Sequence, residues 1–192
     1  MMKHRIILLA FIILSACTQR EQPKNQSVVI ENKVPDSLLI RPGQSIGKIK
    51  IGDDAQALLK LYGQPDQQDA AMGSAGYTWF AKHDISAYRI SVYGHRNFGG
   101  VDESVLKIKK ILITSPDYTT AKGVYTGMSM EDINKRYRLT ENNKYIVKGK
   151  VIRVLADIGK GISFDIDSLT KKCTAISIFK PGDTAIVNIN MY

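Results

Sequence analysis

The segment Gly52-Asp53-Asp54-Ala55-Gln56-Ala57-Leu58-Leu59-Lys60-Leu61-Tyr62-Gly63 returns in altered form 75 residues later, as Gly127-Met128-Ser129-Met130-Glu131-Asp132-Ile133-Asn134-Lys135-Arg136-Tyr137. Gly52 corresponds to Gly127, Leu58 to Ile133 and Tyr62 to Tyr137. Each stretch predicts a short amphipathic helix. In the first, Asp53 stands at a capping position with Gln56 three residues on, and Ala55, Leu58, Leu59 and Tyr62 fall at i, i+3, i+4 and i+7 on one apolar face. Gly63 suits a left-handed C-terminal residue, and Pro65 forbids continuation. In the second, Ser129 caps with Asp132 three residues on, and Met130, Ile133 and Tyr137 make the face.

Strand-like runs follow each helix: 77–80, 85–93 and 106–114 after the first, and 145–148, 151–158, 161–167 and 173–180 after the second. Alternation sends Tyr88, Ile90 and Val92 to one face, leaving Ala87, Arg89, Ser91 and Tyr93 on the other. Ile162, Phe164 and Ile166 likewise oppose Ser163, Asp165 and Asp167. Asn142-Asn143, Gly159-Lys160-Gly161 and Asp167-Ser168 read as turns. Ile111-Leu112-Ile113-Thr114-Ser115-Pro116 answers Ile176-Ser177-Ile178-Phe179-Lys180-Pro181 at an offset of 65. The shortfall from 75 falls in the insertion 94–103, an expected exposed loop. The expectation is an α+β fold of two tandem helix-plus-meander repeats, 37–118 and 119–192, forming a continuous or paired curved sheet.

The segment ahead of these units carries an address. Lys3, His4 and Arg5 precede an apolar run at 6–16, which is eleven residues long. A bilayer-spanning helix needs about twenty, so the run predicts a secretory signal. It ends in Leu14-Ser15-Ala16-Cys17, similar to a bacterial lipobox, which makes residues 1–16 a signal peptide and Cys17 a lipidation site. Acyl chains bury CH₂ groups at ~0.8 kcal/mol each, enough for a stable anchor. Thr18 stands where an Asp favours inner-membrane retention in enterobacterial lipoproteins, so the expected location is the outer membrane, facing the periplasm. Residues 17–36 are rich in Gln, Asn, Glu and Lys and carry Pro23 and Pro35, the composition of a flexible tether.

The chain has 27 Lys and Arg against 18 Asp and Glu. Loss of Lys3 and Arg5 with the signal leaves 25 − 18 = +7 on the mature protein. For an exported lipoprotein this field favours lipid head groups or acidic proteins over nucleic acid. Lys107, Lys109 and Lys110 cluster in one strand, with Lys144, Lys148, Lys150, Arg153, Lys171 and Lys172 further on.

Gly52-Asp53-Asp54, leading through Leu58-Leu59 to Gly63-Gln64-Pro65-Asp66 and a meander, resembles the signature of BamE/SmpA-type lipoproteins. It is similar also to the wider superfamily of β-lactamase-inhibitor-protein-like domains, built from tandem repeats of about this length. The resemblance spans 46–180 and implies a non-catalytic protein that binds other proteins through a curved sheet face or its flanking loops. Two departures stand out. The assembly lipoproteins carry one unit where this chain has two, and the secreted inhibitors join their repeats by disulfides, for which this chain lacks the cysteines.

A catalytic set is not evident. His83 and Asp84 are neighbours, which point to opposite faces of a strand, and His95 sits in the insertion. Asp165 and Asp167 lie about 7 Å apart on one strand face, expected to be solvated. No cofactor or metal is expected, and Cys173 reads as a packed bystander. Tyr77, Trp79, Arg89, Tyr93, His95 and Arg96 are the candidate binding surface, because Tyr, Trp and Arg dominate protein–protein hot spots. The expected function is a lipid-anchored, periplasm-facing binding or scaffold protein with an envelope protein as partner. The alternatives are an inhibitor of an exported hydrolase or β-lactamase, reaching out with the loop 94–103, and an envelope hydrolase.

Overall fold

The computed structural model describes residues 34–192; the predicted signal peptide, Cys17 and most of the tether lie outside the described residues. The chain runs through β1 (Leu39–Arg41), β2 (Ser45–Ile46), β3 (Ile49–Lys50), helix α1 (Ala57–Tyr62), β4 (Gln67–Ala71), β5 (Ser74–Phe80), β6 (Arg89–His95) and β7 (Lys107–Ile113). It continues with β8 (Thr119–Thr120), α2 (Met130–Asn134), β9 (Thr140–Val147), β10 (Lys150–Asp157), β11 (Ile162–Asp167), β12 (Cys173–Phe179) and α3 (Thr184–Val187). The fold is α+β and dominated by strands.

Eight strands make one antiparallel sheet in the order β4-β5-β6-β7-β12-β11-β10-β9. Both α1 and α2 are followed by a four-stranded meander, and the last strands of the two meanders pair at the centre, Ile113 opposite Ile176 and Ile111 opposite Ile178. A smaller sheet, β3-β2-β1-β8, brings Ile40, Ile46 and Ile49 into the core. They meet Leu58 of α1, Ile133 of α2 and one face of the large sheet, including Val92, Ile111, Phe164 and Ile176. This burial of branched aliphatic surface from both halves is the main stabilising contribution.

Local chemistry explains the connections. Met72-Gly73 and Lys148-Gly149 join β4 to β5 and β9 to β10, with φ of 47° and 75°, and 47° and 76°. Positive φ at both central residues gives the tight turn whose twist matches its strands. Gly52 and Gly127 have φ of 90° and 98°, and their N–H groups donate to the carbonyls of Ile108 and Cys173 at 2.8 and 2.7 Å. In return, the N–H groups of Ile108 and Cys173 donate to Asp53 and Met128 at 2.8 and 2.9 Å. Each glycine thus hooks the chain ahead of a helix onto the start of the strand that closes the following meander.

Several boundaries differ from expectation. The strand expected over 85–93 starts only at Arg89, because Lys82 and His83 take left-handed conformations and turn the chain. Ile90 and Val92 do face the core, whereas Tyr88 is 54% exposed. Asn142-Asn143 form no turn. They lie inside β9, where Asn143 pairs with Val154 and Glu141 with Leu155, so that Asn142 is the extra residue of a bulge. α1 begins at Ala57 with no side-chain cap, and Asp54 rather than Asp53 takes a nearby N–H, that of Gln56, at 2.9 Å. Ser129 does cap α2, accepting from the Asp132 N–H at 3.1 Å.

The central seam sets a first prediction. Replacing Ile111 with Ala leaves a cavity where the two meanders meet and should cost about 2–5 kcal/mol in urea unfolding. Ile146→Ala, on the edge strand and 73% exposed, should change stability by less than about 0.5 kcal/mol.

Candidate binding face

The second face of the large sheet is built from the residues that alternate with the core set. Register places Ser74, Gly76 and Thr78 of β5 beside His95, Tyr93 and Ser91 of β6. Tyr93 and Ser91 in turn lie beside Lys110 and Leu112 of β7. Across the seam follow Phe179 and Ser177 of β12, then Ser163 and Asp165 of β11, Ala156 and Val154 of β10, and Tyr145 of β9. Half of this face is covered by α3 and the residues after it. Val187 and Ile186 pack on Val154, Ala156 and Phe179.

The rest of the cover is held by polar anchors. Lys110 Nζ donates to the carbonyls of Val187 at 3.1 Å and Ile189 at 2.8 Å. Asp165 Oδ2 accepts from the Tyr192 hydroxyl at 3.0 Å and from the Tyr145 hydroxyl. The Arg89 guanidinium lies 4.3 Å from the centre of the Tyr192 ring, a cation–π distance. Both charged anchors are almost fully buried, Lys110 at 4% and Asp165 at 3% exposure. Burial pushes the Lys110 ammonium down to about 8, against the opposing pull of Asp165. Burial also pushes the Asp165 carboxyl up, while the Tyr145 hydroxyl and the Lys110 charge hold it down. The phenols of Tyr145 and Tyr192 are raised, chiefly by burial.

The other half of the face, over β4–β6, is open and polar. A groove of about 420 Å³ is lined by Gln67, Asp69, Ser74, Thr78, Ser91 and Tyr93, with Ile189 to Tyr192 as one wall. Ser74 Oγ lies 2.9 Å from the Tyr93 hydroxyl and 2.8 Å from His95 Nδ1. Among the described residues no carboxylate reaches the far side of that imidazole, which meets the edge of Phe98 at 5.9 Å between ring centres. The serine–histidine contact therefore lacks the group that would orient and charge-stabilise a general base.

The expected binding residues divide. Arg89, Tyr93 and His95 do share the second face. Trp79 does not: it is 8% exposed on the core face, where its Nε1 donates to the Gly63 carbonyl at 3.1 Å. Tyr77 packs partly buried against the same core, 6.0 Å from Trp79 between ring centres. Arg96 belongs to the loop after β6, where its guanidinium donates to the carbonyls of Glu103 and Ser104. That loop folds back, Phe98 lying over Gly73 and His95 while Val101 stays fully exposed.

Two further expectations are corrected. Asp165 and Asp167 are buried rather than solvated; Asp165 is held by two phenols, and Asp167 Oδ1 takes the N–H groups of Leu169 and Thr170. The lysines of β7 form no common patch, since Lys110 is buried and Lys107 pairs with Asp102. Cys173 is buried, with its thiol pushed up by desolvation. Among the described residues no group of three His, Cys, Asp or Glu side chains is placed to hold a metal ion. No helix among them is long and apolar enough to cross a membrane. The cluster of Lys110, Asp165, Tyr145 and Tyr192 leaves one signal in the sequence, a lysine within the run Lys110-Ile111-Leu112-Ile113.

No family model and no curated protein matches the sequence. Among solved structures the chain is similar to an extracellular protein containing an SCP domain from Bacillus anthracis, at 14% identity and a TM-score of 0.45. That alignment covers 71% of this chain and 45% of the other, so the chain spans less than half of that protein's length.

Burial of Lys110 fixes a pH dependence. The unfolded chain keeps this ammonium protonated up to its ordinary 10.5, whereas the native protein releases the proton near 8. Between these values the unfolded state binds more protons, so this group's contribution to stability rises with pH. The stability of the wild type relative to Lys110→Met should therefore increase by about 2 kcal/mol from pH 8 to pH 10, read by urea denaturation.

Proposed function

We propose that the protein is a lipid-anchored, non-catalytic binding module of a bacterial cell envelope, built from two copies of one helix-plus-meander unit. Cys17 carries the anchor, the tether carries the domain away from the outer membrane, and an envelope protein is the partner. The tandem-unit reading draws support from the paired offsets of 75 and 65 residues together with the paired hydrogen bonds of Gly52 and Gly127. Each glycine addresses the strand that closes its own meander.

The observation that carries the binding reading is the open half of the second face. A sheet surface that leaves Gln67, Ser74, Thr78, Ser91 and Tyr93 facing a groove, beside a half that is covered, presents hydrogen-bonding groups around an aromatic side chain. Tyr in such a setting supplies contact area at low entropic cost and a hydroxyl that can be satisfied across an interface. Among the described residues no carboxylate orients His95, which weighs against hydrolysis there.

Site-specific photocrosslinking tests this. A benzoylphenylalanine at position 93 of the lipidated chain, irradiated in its own envelope, should yield one discrete adduct with an envelope protein. The same group at position 169, where Leu169 is 90% exposed in a turn outside this face, should not, and Cys17→Ala should abolish the adduct. Equal labelling from both positions, or none from position 93, overturns the assignment.

A further inference from the structure

The covered half of the second face has three properties that a purely structural contact does not need. The first is the means by which Thr184 to Tyr192 is held. No strand of the large sheet pairs with this segment. It is fastened by side chains of the sheet: Lys110 to two main-chain carbonyls, Asp165 to the Tyr192 hydroxyl, and Asn143 Nδ2 to the Asn188 carbonyl at 3.3 Å. Its aromatic end lies between the Arg89 guanidinium and the Tyr145 ring, the latter 5.3 Å away between centres. Main-chain hydrogen bonds combined with a contact for one side chain are also the elements of peptide recognition, although Tyr192 keeps 42% of its surface exposed here.

Secondly, the surface has hydrogen-bonding capacity that the segment leaves unused. Ser163 and Ser177 are paired across β11 and β12 at 0% and 1% exposure, and neither hydroxyl has a partner among the described residues. Arg89 Nε and Nη2 are likewise buried without one. Buried groups of this kind are costly, and a face that only had to be covered would be cheaper as aliphatic surface.

Thirdly, the covered half is continuous with the open groove. Ile189 to Tyr192 form the wall of that groove, and Tyr93 in the groove is the register partner of Lys110 under the segment. Beside these anchors the segment is held by the packing of Val187 and Ile186 alone: α3 is four residues long, and of its side chains only Val187 is buried. When the segment leaves, two costly buried charges regain water, which offsets part of the lost contact.

We infer that the half of the sheet beneath Thr184 to Tyr192 is a peptide-binding groove, that this segment is its built-in occupant, and that the groove takes instead a partner segment of the same chemistry. That chemistry is one apolar helical turn whose last carbonyls are free to accept, followed within about one turn by a phenol-bearing side chain. The segment is then a strap that the partner displaces. The inference shares the wall Ile189 to Tyr192 with the binding reading above, but its test requires neither an envelope partner nor the crosslink at position 93, so either can fail without the other.

The probe is a fluorescein-labelled peptide of sequence Thr184 to Tyr192, added to the full chain. In the wild type the attached strap competes and binding should be weak. In the full-chain variant Val187→Glu/Tyr192→Ala, whose own strap is disabled, fluorescence anisotropy should show saturable binding at least tenfold tighter. Adding Lys110→Met to that variant should remove the binding, and a probe with Phe in place of Tyr192 should bind several-fold more weakly. A folded variant that fails to bind the probe, or that binds no better than the wild type, overturns the inference. Exchange of the strap between copies, seen as a stable dimer of the variant with added wild-type chain, reassigns the groove to a second copy and overturns the partner. If the variant does not fold, native-state hydrogen exchange of the wild type decides. The amides of Asn188 and Ile189 should exchange at least 100-fold faster than those of Ile111 and Ile178, by local opening. Exchange of all four only through global unfolding makes the segment integral and overturns the strap.

Discussion

The pairing of β7 with β12 is the constraint from which the rest of the molecule follows. Four register pairs join the two meanders, from Ile113 opposite Ile176 to Lys110 opposite Phe179. Side chains alternate between faces with a period of two, so this register sends Ile111, Ile113, Ile176 and Ile178 to the core. The same alternation sends Lys110, Leu112, Ser177 and Phe179 to the other face. A slip of one residue would exchange the two sets, placing a lysine among the isoleucines of both sheets. Because the core is shared by both halves, the penalty for such a slip falls on the entire domain, and the register is correspondingly secure.

Once the register is set, the second face cannot be left bare. Val154, Ala156 and Phe179 lie on it in one patch, and a patch of that kind in water invites association. α3 covers it with Val187 and Ile186. The charges beside the patch then determine where the chain goes next. Lys110 accepts burial only if its ammonium finds oxygen, and the carbonyls of Val187 and Ile189 are the groups that reach it. Asp165 stands in the same relation to the hydroxyls of Tyr145 and Tyr192. Apolar contact therefore brings the segment to the sheet, and the buried charges give it one position there. Removing either partner of such a contact would leave a buried charge uncompensated, which is strongly destabilising.

Much of this was legible in the residues and some was not, for physical reasons. The two helices were announced by the 3.6-residue spacing of Leu58, Leu59 and Tyr62 and by the Ser129 cap, and the inner strands by alternation around Phe164 and Val92. β4 leaves no pattern in the sequence, because an exposed edge strand such as Gln67-Gln68-Asp69-Ala70-Ala71 needs no apolar side and so carries no period. β1, β2 and β3 are two or three residues long, too short for alternation to register. Asn142-Asn143 have the composition of a turn but serve a bulge, since both demand departure from the regular ladder. On the candidate face, the alternation of β6 correctly separated Arg89 and Tyr93 from Val92. Trp79 went to the core because its indole N–H had a carbonyl to meet there, that of Gly63. The burial of Asp165 is not legible in the sequence, because alternation reports which face a residue takes, never whether another segment covers that face.

That last distinction organises the candidate function. The second face is one surface with two states of cover, and the boundary between them runs along β6 and β7. On one side Tyr93 and Ser91 line a groove; on the other Lys110 and Leu112 lie in the next strand, opposite them in register. Arg89 belongs to both, since it shares a strand with Tyr93 and stacks on Tyr192. A molecule seated in the open groove would therefore touch the wall formed by Ile189 to Tyr192, and anything that moved this wall would change the groove's length. Under the proposed function, a ligand of the open half would be coupled to the cover of the other half through shared atoms, with the coupling limited to the difference in contacts that Tyr192 and Arg89 make with and without it.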